Sequence, residues 1–308
     1  MTKITEQTSS PEASDRKSES CSSTVENNTE KQQFEQNQKL KLKLSRIKHK
    51  IAIISGKGGV GKSTVTANLA MAFAMNGSVV GVLDADIHGP CIPKMLGIKR
   101  QAMMGGPGGM LFPITGKFGV KVVSMDFFLP SDEAPVIWRG PLKMRALQQF
   151  LSDVAWGDLD YLFIDLPPGT GDEPLSIMHL IPDMDGVVIV TMPSEVSEAV
   201  VKKSVTFAKQ IGVPVIGIVE NLSGYVCPDC GKKIDIFKSG GGKRISRDLS
   251  VPYLGDIPID PQICDDSDNG LTFMAEKPDL PTAKTFAEIV TKIKQFLENK
   301  TTAGEKAQ

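Results

Sequence analysis

The 308-residue chain has few aromatic residues, few cysteines and no long hydrophobic run. Aromatic residues make up 6% of the sequence, so the core should be mainly aliphatic. No apolar stretch reaches the roughly 18 residues of a membrane-spanning helix, and the acidic N-terminal segment lacks the apolar centre of a signal peptide. Lys plus Arg number 35 and Asp plus Glu 36, which excludes a polycation that coats nucleic acid. We therefore expect a cytoplasmic protein without membrane or nucleic-acid partners.

The cysteines do not form the framework of a disulfide-stabilised protein. There are five, an odd and sparse set without a secretion signal. Only Cys227 and Cys230 lie close together in sequence. In a reducing compartment, such a pair indicates a metal or redox site.

The two ends of the chain differ from its centre. Residues 1–47 are predicted to be a disordered polar tail with a basic lead-in, because the first 38 or so offer almost nothing to bury. The alternating Lys39–Leu44 predicts a strand or a lead-in helix, whose lysines form a solvated edge or contact an acidic partner. Residues 301–308 are predicted to be a second polar tail.

Residues 48–300 carry the pattern of one α/β domain. Short, continuous apolar runs indicate strands that are buried on both faces. Between them, helices are predicted at Ser63–Met75, Leu142–Val154 and Glu195–Gln210. This alternation predicts a doubly wound, mainly parallel sheet with flanking helices. The predicted strands are Ile51–Ile54, Val79–Leu83, Val120–Ser124, Tyr161–Ile164, Val187–Val190 and Val215–Val219.

A glycine-rich segment between the first strand and the first helix matches the phosphate-loop pattern G-x-x-x-x-G-K-[ST]. Its glycines let backbone N–H groups turn toward phosphate oxygens, and the helix N-terminus adds its positive end. Lys62 should reach the β- and γ-phosphates of ATP, and the Ser63 hydroxyl should ligate Mg²⁺. The predicted nucleotide-binding residues are Gly56, Lys57, Gly58, Gly59, Val60, Gly61, Lys62, Ser63 and Thr64.

Carboxylates follow two further predicted strands. Asp84 and Asp86 come after one, and Asp165 comes after another. Ligands of open α/β sheets bind at the carboxyl ends of the strands, so these groups should face the phosphate loop. An aspartate in this position is typical of a contact to the Mg²⁺ shell of a bound nucleotide.

The segment Cys227-Pro228-Asp229-Cys230 is a C-x-x-C knuckle. Both Zn²⁺ and iron–sulfur clusters use this spacing, and both favour four protein ligands, so one pair is half a site. A twofold-symmetric dimer would bring two pairs together. Within one chain, Cys91 and Cys264 are the remaining candidates. We favour a bridging cluster, with a zinc site, a redox pair and structural thiols as alternatives.

Together these motifs resemble the Mrp-type iron–sulfur cluster carrier ATPases, or ApbC family, within the MinD/ParA-like P-loop NTPases. The resemblance runs from about Ile51 to Phe273, and Cys91 stands where the family usually has serine. The segments that carry it are Ser55–Thr64, Asp84–Met95, Trp138–Leu142, Trp156–Asp172, Glu220–Gly231 and Gly255–Asp260.

The resemblance implies roles for individual nucleotide-site residues. Lys57, the second lysine of a deviant Walker A motif, implies an ATP-linked homodimer in which it reaches the partner's nucleotide. Together with Lys62 and Asp86 it forms the predicted catalytic set. Asp86 is implied to position the attacking water, Asp84 to support the metal, and Asn221 to hold the adenine.

The resemblance also implies a function. The chain is predicted to be a homodimeric ATPase that binds a bridging [4Fe–4S] cluster through Cys227 and Cys230 and transfers it to apo iron–sulfur proteins. The alternative is a MinD/ParA-like positioning ATPase with a structural zinc knuckle and an amphipathic membrane anchor. The only candidate anchor is the apolar face of the C-terminal segment, which we interpret as a core face. That face comprises Phe286, Ile289, Val290, Ile293, Phe296 and Leu297.

Overall fold

The computed structural model describes residues 38–305 except 88, 129–139, 182 and 228–229. Ten strands occur within these residues. In chain order they are β1 (Ile47–Ser55), β2 (Val80–Asp84), β3 (Ile114–Thr115), β4 (Lys121–Ser124), β5 (Leu159–Asp165), β6 (Gly186–Thr191), β7 (Val215–Glu220), β8 (Tyr225–Val226), β9 (Lys233–Ile234) and β10 (Tyr253–Asp256).

Helices connect these strands. Residues 38–44 form the helical segment α1. The others are α2 (Lys62–Met75), α3 (Ile92–Met95), α4 (Gly140–Asp153), α5 (Asp172–Leu180), α6 (Glu195–Gln210), α7 (Gly241–Leu249), α8 (Pro261–Asp268), α9 (Phe273–Glu276) and α10 (Pro281–Glu305). None of the helices in the described residues is long and apolar enough to span a membrane.

Eight strands form one sheet in the order β10-β7-β6-β1-β5-β2-β4-β3. Every pairing is parallel except that of β3 with β4. From β1 the chain builds the sheet outward in both directions, with β6 on one side and β5 on the other. Such a change of direction places a crevice at the carboxyl ends of the central strands. Asp84 and Asp165 stand directly opposite each other in the β2–β5 register. The predicted doubly wound, mainly parallel sheet is confirmed.

The two faces of the sheet have separate hydrophobic cores, because successive strand side chains point to opposite faces. Ile51 and Ile53 of β1 pack on one face with residues of α2 and α10. Ala52 and Ile54 pack on the other face with residues of α4, α5 and α6. The sheet is therefore covered on both sides, as its continuous apolar strands predicted.

Most element boundaries agree with the sequence prediction to within a few residues. Helix α6 begins and ends where predicted, and the Ser194 side chain caps it by accepting a hydrogen bond from the Ser197 N–H at 3.2 Å. Val79 precedes β2 and is exposed. The short strands β3, β8 and β9 were not among the predicted ones, because two residues carry little periodic signal.

The structure extends the ordered chain beyond both expected domain boundaries. Helix α1 and the first residue of β1 lie before residue 48. Leu40 and Leu44 of α1 are buried against the second core, while its lysines lie on other faces. Helix α10 continues through the predicted C-terminal tail to Glu305. The rest of the predicted N-terminal tail, residues 1–37, lies outside the described residues.

The last helix is a core element. Five of its six predicted apolar-face residues are almost fully buried, and Phe296 packs against them with partial exposure. The interpretation of this stripe as a core face is confirmed, so this face is not available as a membrane anchor. The five buried residues are Phe286, Ile289, Val290, Ile293 and Leu297.

Candidate functional site: a phosphate loop and a two-cysteine hairpin

The glycine-rich loop lies between β1 and α2 at the carboxyl edge of the sheet. Gly59 and Gly61 adopt φ values of 76° and 79°, a region that favours glycine. A Cβ on Gly61 would lie 2.2 Å from the Asn221 side-chain nitrogen, and one on Gly56 would lie 2.1 Å from a Val200 methyl carbon. The glycines therefore provide both the loop conformation and its close packing.

Asp165 is the centre of a buried hydrogen-bond network at the start of α2. Its Oδ2 accepts hydrogen bonds from Lys62 Nζ at 2.5 Å and from Ser63 Oγ at 2.6 Å. Its Oδ1 accepts one from Thr66 Oγ1 at 2.6 Å. Lys62 is 6% exposed and Asp165 0%, and a buried ion pair is tolerated only with such additional hydrogen bonds. The network holds Lys62 and Ser63 at the helix N-terminus, where phosphate oxygens bind.

Asp84 forms the second buried carboxyl group of the site. It accepts hydrogen bonds from Ser124 Oγ at 3.1 Å and from the backbone N–H groups of Ile92 and Asp86, each at 3.3 Å. Burial, and then the neighbouring Asp165 carboxylate, raise the pKa of Asp84 to about 8. Two adjacent buried carboxyl groups form a site where a cation would favour the ionised form of both.

The donor set fits Mg²⁺. A hydroxyl from Ser63 and carboxylate oxygens from Asp84 and Asp165 are the hard ligands that Mg²⁺ prefers. Among the described residues, no three His, Cys, Asp or Glu side chains are grouped so that they could hold a metal ion by themselves. This agrees with Mg²⁺ chemistry, since Mg²⁺ usually takes one or two carboxylates together with water and substrate phosphates.

Lys57 and Asp86 lie at the edge of this site. Both are half-buried, and neither side chain forms a hydrogen bond or an ion pair within the part of the chain that the structure describes. Ser55 Oγ donates to the Lys57 carbonyl at 3.1 Å, which fixes the lysine backbone. Their charged ends therefore remain available for a ligand or another chain.

Asn221 follows β7 and lies against the phosphate loop. Its side-chain amide donates to the Val60 carbonyl at 2.9 Å, and its backbone N–H donates to the Thr191 carbonyl at 2.7 Å. The structure thus brings Asn221 next to the phosphate loop, and its contact with the adenine stays a prediction. Thr64 lies in the first turn of α2, and Gly58 is exposed.

Cys91 also belongs to the phosphate site. Its thiol forms a hydrogen bond with Ser63, while burial and then Asp84 raise its pKa to about 11. The raised pKa disfavours the thiolate form in which cysteine binds metals. The sequence analysis noted Cys91 only as a candidate cluster ligand and as a replacement of the family's usual serine, and it did not predict this contact.

The C-x-x-C pair lies on a separate antiparallel hairpin. Strands β8 and β9 pair, the Cys227 N–H donates to the Lys232 carbonyl at 3.0 Å, and the Gly231 N–H donates to the Cys227 carbonyl at 2.9 Å. Cys227 is half-buried and Cys230 is exposed, and neither forms a disulfide. These hydrogen bonds bring Gly231 and Lys232 back to Cys227, so both cysteines lie at the same end of the hairpin.

The remaining cysteines with described positions do not complete this half-site. Cys264 is on α8, where its thiol is 3.9 Å from Asp268 Oδ2, and Cys91 is beside Ser63. No third His, Cys, Asp or Glu joins Cys227 and Cys230 within the described residues. Cys21 lies outside them.

Glu220 connects the two regions and was not singled out in the sequence. This fully buried carboxyl group accepts hydrogen bonds from Ser223 Oγ at 2.6 Å, Gly240 N at 2.9 Å and Gly242 N at 2.5 Å. It thereby secures the chain on both sides of the hairpin, next to Asn221. In the sequence, Glu220 could have been recognised as an acidic residue at the end of an otherwise apolar strand.

Thr66 and Ser124 were also missed. Thr66 follows Lys62 by one helical turn, so its side chain lies on the same face of α2. This spacing could have identified Thr66 as a site residue from the sequence. Ser124 ends the strand next to β2, and only the sheet order places it beside Asp84.

A family model described as the NUBPL iron-transfer P-loop NTPase matches residues 46–294. A protein of Methanocaldococcus jannaschii named iron–sulfur cluster carrier protein is 53% identical over 88% of this chain and 93% of its own length. A protein of the same name from Saccharolobus solfataricus is 51% identical, covering 85% and 88% of the two chains. The similarity spans almost the whole described region.

Solved structures agree with this result. A nucleotide-binding protein from Archaeoglobus fulgidus, in complex with ADP, has a TM-score of 0.68 and 41% identity, over 76% of this chain and 91% of that one. The MinD protein of Pyrococcus horikoshii shares the fold, with a TM-score of 0.57 and 22% identity, over 80% and 95% of the two chains. The phosphate loop and the fold of this chain, together with these similarities, show that it belongs to the NUBPL-type iron-transfer P-loop NTPases.

Proposed function

We propose that the chain is a homodimeric ATPase that carries a [4Fe–4S] cluster between two copies and transfers it to apo iron–sulfur proteins in the cytoplasm. The observation that supports this most directly is the pairing of two features in one chain. A hydrogen-bonded phosphate loop around Asp165 accompanies a hairpin whose two cysteines form no disulfide and have no third Cys, His, Asp or Glu beside them among the described residues. The absence of disulfides among the described cysteines suits a reducing compartment.

The buried network around Asp165 positions the groups that would bind and hydrolyse ATP. Backbone N–H groups of the loop and the α2 N-terminus bind the phosphates, and Lys62 neutralises charge on the transferring group. Mg²⁺, held through Ser63, Asp84 and Asp165, would neutralise further phosphate charge. These groups are fixed before ATP arrives, so little reorganisation accompanies the reaction.

Two half-buried charged residues complete the proposed mechanism. Asp86 is half-buried next to Asp84, and its carboxylate has no partner among the described residues, so it can orient the attacking water. Lys57 is equally unpaired there and reaches the nucleotide of the second copy, where a cation stabilises the developing charge. Asn221, beside the loop, holds the adenine.

The cluster is cargo rather than a resident cofactor. One hairpin supplies Cys227 and Cys230, and a twofold axis through this region supplies the same pair from the second copy. Four thiolates then hold one [4Fe–4S] cluster. Since Cys230 is exposed, acceptor thiols can approach the cluster, which suits a protein that releases it.

Relatives give independent support. Proteins from Methanocaldococcus jannaschii and Saccharolobus solfataricus that are about half identical to this chain carry the name iron–sulfur cluster carrier protein. The Archaeoglobus fulgidus structure contains ADP. We extend the carrier role and adenine-nucleotide binding to this chain.

The test is anaerobic cluster reconstitution of the full chain, followed by iron and sulfide analysis and native mass measurement. We expect about 2 Fe and 2 sulfide per chain and one cluster per dimer. Cys227→Ala and Cys230→Ala should each abolish the cluster, because symmetry turns one substitution into the loss of two ligands. Cys91→Ala and Cys264→Ala are matched controls that should retain it.

Two outcomes would contradict the proposal. A cluster on a monomer, or one that persists in Cys230→Ala, would exclude the bridging arrangement. Tightly bound zinc without iron would favour the alternative of a positioning ATPase with a zinc knuckle. Transfer to an apo-acceptor, measured with and without ATP, then tests the carrier role itself.

A further inference from the structure

Helices α6 and α7 lie side by side and carry a basic surface. Lys202 lies 3.7 Å from the carboxylate of Asp248, and Arg244 lies 2.6 Å from that of Glu198, so ion pairs join the two helices. Among the side chains that the structure describes on these helices, six exposed cations accompany two carboxylates. The whole chain has a net charge of −1, so this positive surplus is local. We call the six cations the basic face: Lys202, Lys203, Lys209, Lys243, Arg244 and Arg247.

Most of the basic face has no acidic partner within the part of the chain that the structure describes. Lys209 donates a hydrogen bond to the Leu249 carbonyl at 3.5 Å, which leaves its charge uncompensated. Lys203, Lys243 and Arg247 form neither an ion pair nor a side-chain hydrogen bond with any described residue. Uncompensated charges of one sign on one surface attract a molecule of the opposite sign.

The basic face borders a depression beside the loop that joins β5 to α5. The depression has a volume of about 370 Å³ and is lined by Thr170 of the loop and by Lys202, Lys203, Thr206, Phe207 and Gln210 of α6. Phe207 is partly buried and provides an apolar wall, while the lysines, hydroxyls and amide provide hydrogen-bond donors. The Gly169 N–H donates to the Ser55 carbonyl at 2.8 Å, which fixes the loop against β1. A carboxylate side chain with an apolar neighbour fits this combination of groups.

We infer that the basic face is a docking surface for an acidic segment of another protein, which places a carboxylate side chain in the depression. The inference is independent of the cluster, because it uses neither the cysteine hairpin nor a second copy of this chain. Complementary charges across such a surface speed association and select the partner. Since the cations are exposed to solvent, the attraction should weaken as the salt concentration rises.

A protein partner fits the basic face better than a nucleic acid does. Glu198 and Asp248 lie among the cations and would repel the regularly spaced phosphates of a polyanion. Among the described side chains of α6 and α7, none is an exposed aromatic that could stack on a base. An acidic protein segment can place uncharged residues opposite the two carboxylates and its own carboxylates opposite the cations.

The test measures the fluorescence anisotropy of a labelled Glu-rich peptide that contains one Leu, titrated with the full chain. We expect Lys203→Glu/Arg247→Glu to weaken binding about 10- to 100-fold, because each reversal removes an attraction and adds a repulsion. Lys99→Glu/Lys284→Glu is the control, since it makes the same change in net charge with exposed lysines elsewhere. Lys284 lies on α10, on the opposite face of the sheet from α6. This control and Cys227→Ala should both bind the peptide like the parent.

A charge swap shows whether the reversed variant is intact. With Lys in place of Glu in the peptide, Lys203→Glu/Arg247→Glu should bind more tightly than the parent, and it should keep the parental melting temperature and basal ATP hydrolysis. A parent that does not bind the acidic peptide, or binding that salt leaves unchanged, would overturn the inference. Equal weakening in the reversed variant and in its control would do the same. Tighter binding of a single-stranded DNA oligonucleotide than of the peptide would overturn it in favour of a nucleic-acid surface.

Discussion

The phosphate site and the cysteine hairpin are built in opposite ways. Lys62 and Asp165 are 6% and 0% exposed, and the Asp165 carboxylate accepts hydrogen bonds from three side chains. Cys230 is exposed, and its loop is held mainly by backbone hydrogen bonds. Catalysis requires charges that are fixed before the substrate binds, whereas the cluster site that we propose would have to open to another protein. The same chain meets both requirements by placing them on different elements.

The largest predicted effect concerns the buried side of this comparison. Lys62→Ala should lower ATP hydrolysis by about 10³-fold, because it removes the cation aimed at the transferring phosphate and leaves Asp165 without its charged partner. Steady-state phosphate release measures this effect. Lys94→Ala, on the exposed face of α3, is the control and should hydrolyse ATP like the parent. Near-normal turnover in Lys62→Ala would refute the assignment of the phosphate site.

Asp86→Asn should slow ATP hydrolysis without weakening nucleotide binding. The Asp86 side chain has no partner among the described residues, so its loss should leave folding and nucleotide affinity unchanged. Hydrolysis should slow about 10²-fold if the carboxylate orients the water. Nucleotide titration and single-turnover kinetics test both expectations. Hydrolysis at the parental rate would exclude this role.

Glu220→Gln should affect the hairpin side and leave the phosphate loop intact. A glutamine amide can accept from only one of the two glycine N–H groups, so the free energy of unfolding should fall by about 1–3 kcal/mol. Hydrogen exchange should rise in residues 223–242 but not in residues 56–66.

Glu198→Gln provides the matched control for that experiment. Glu198 forms a partly exposed pair with Arg244 at 2.6 Å, near the same glycine loop. Such pairs contribute roughly 0–1 kcal/mol, so stability and exchange should change little. Equal exchange in both variants would show that Glu220 does not anchor the hairpin.

The last predicted effect is a pH-dependent gain in stability in Asp84→Asn. The pKa of Asp84 rises from 3.8 in the unfolded chain to about 8 in the folded one, so the folded state binds the extra proton between these values. Its contribution to stability is therefore complete below pH 3.8 and lost as the pH rises to about 8. Without nucleotide, Asp84→Asn should exceed the parent in stability by an amount that grows over this range, because the amide cannot ionise. It should also weaken Mg²⁺-dependent nucleotide binding.

Chemical denaturation at several pH values tests the Asp84 prediction. Ser124→Ala is the control, because it removes a hydrogen bond to Asp84 but keeps the ionisable group. A stability difference between Asp84→Asn and the parent that does not change with pH would show that Asp84 ionises normally in the folded chain.

The elements that could be predicted from sequence are those with local signals. The phosphate loop occupies a continuous segment, and its strand–loop–helix context was visible in the apolar periodicity. Asp84 and Asp165 were expected at one edge because they end apolar strands. The contacts that hold them could not be predicted in the same way. Thr66 and Asp165 are 99 residues apart, and Ser124 and Asp84 are 40 apart.

The cysteine pair shows the same division. Its spacing alone indicated a half-site for metal or cluster binding. Only the folded chain shows that the hairpin has no third ligand among the described residues. It also shows that apolar side chains of the hairpin, such as Ile236 and Phe237, are exposed. Apolar residues near a motif look like core residues in sequence, because burial depends on which distant segments cover them.

The amino-acid sequence by itself determined the α/β architecture, the phosphate loop and the C-x-x-C spacing, because each depends on residues that are neighbours along the chain. Tertiary structure decided how these parts are joined. The strand order set Asp84 against Asp165 and raised the pKa of Asp84 through burial. Packing buried Leu40 and Leu44 of the basic lead-in but left Phe237 exposed. Both outcomes depend on long-range contacts, and the free energy of burying apolar surface depends on what lies opposite it.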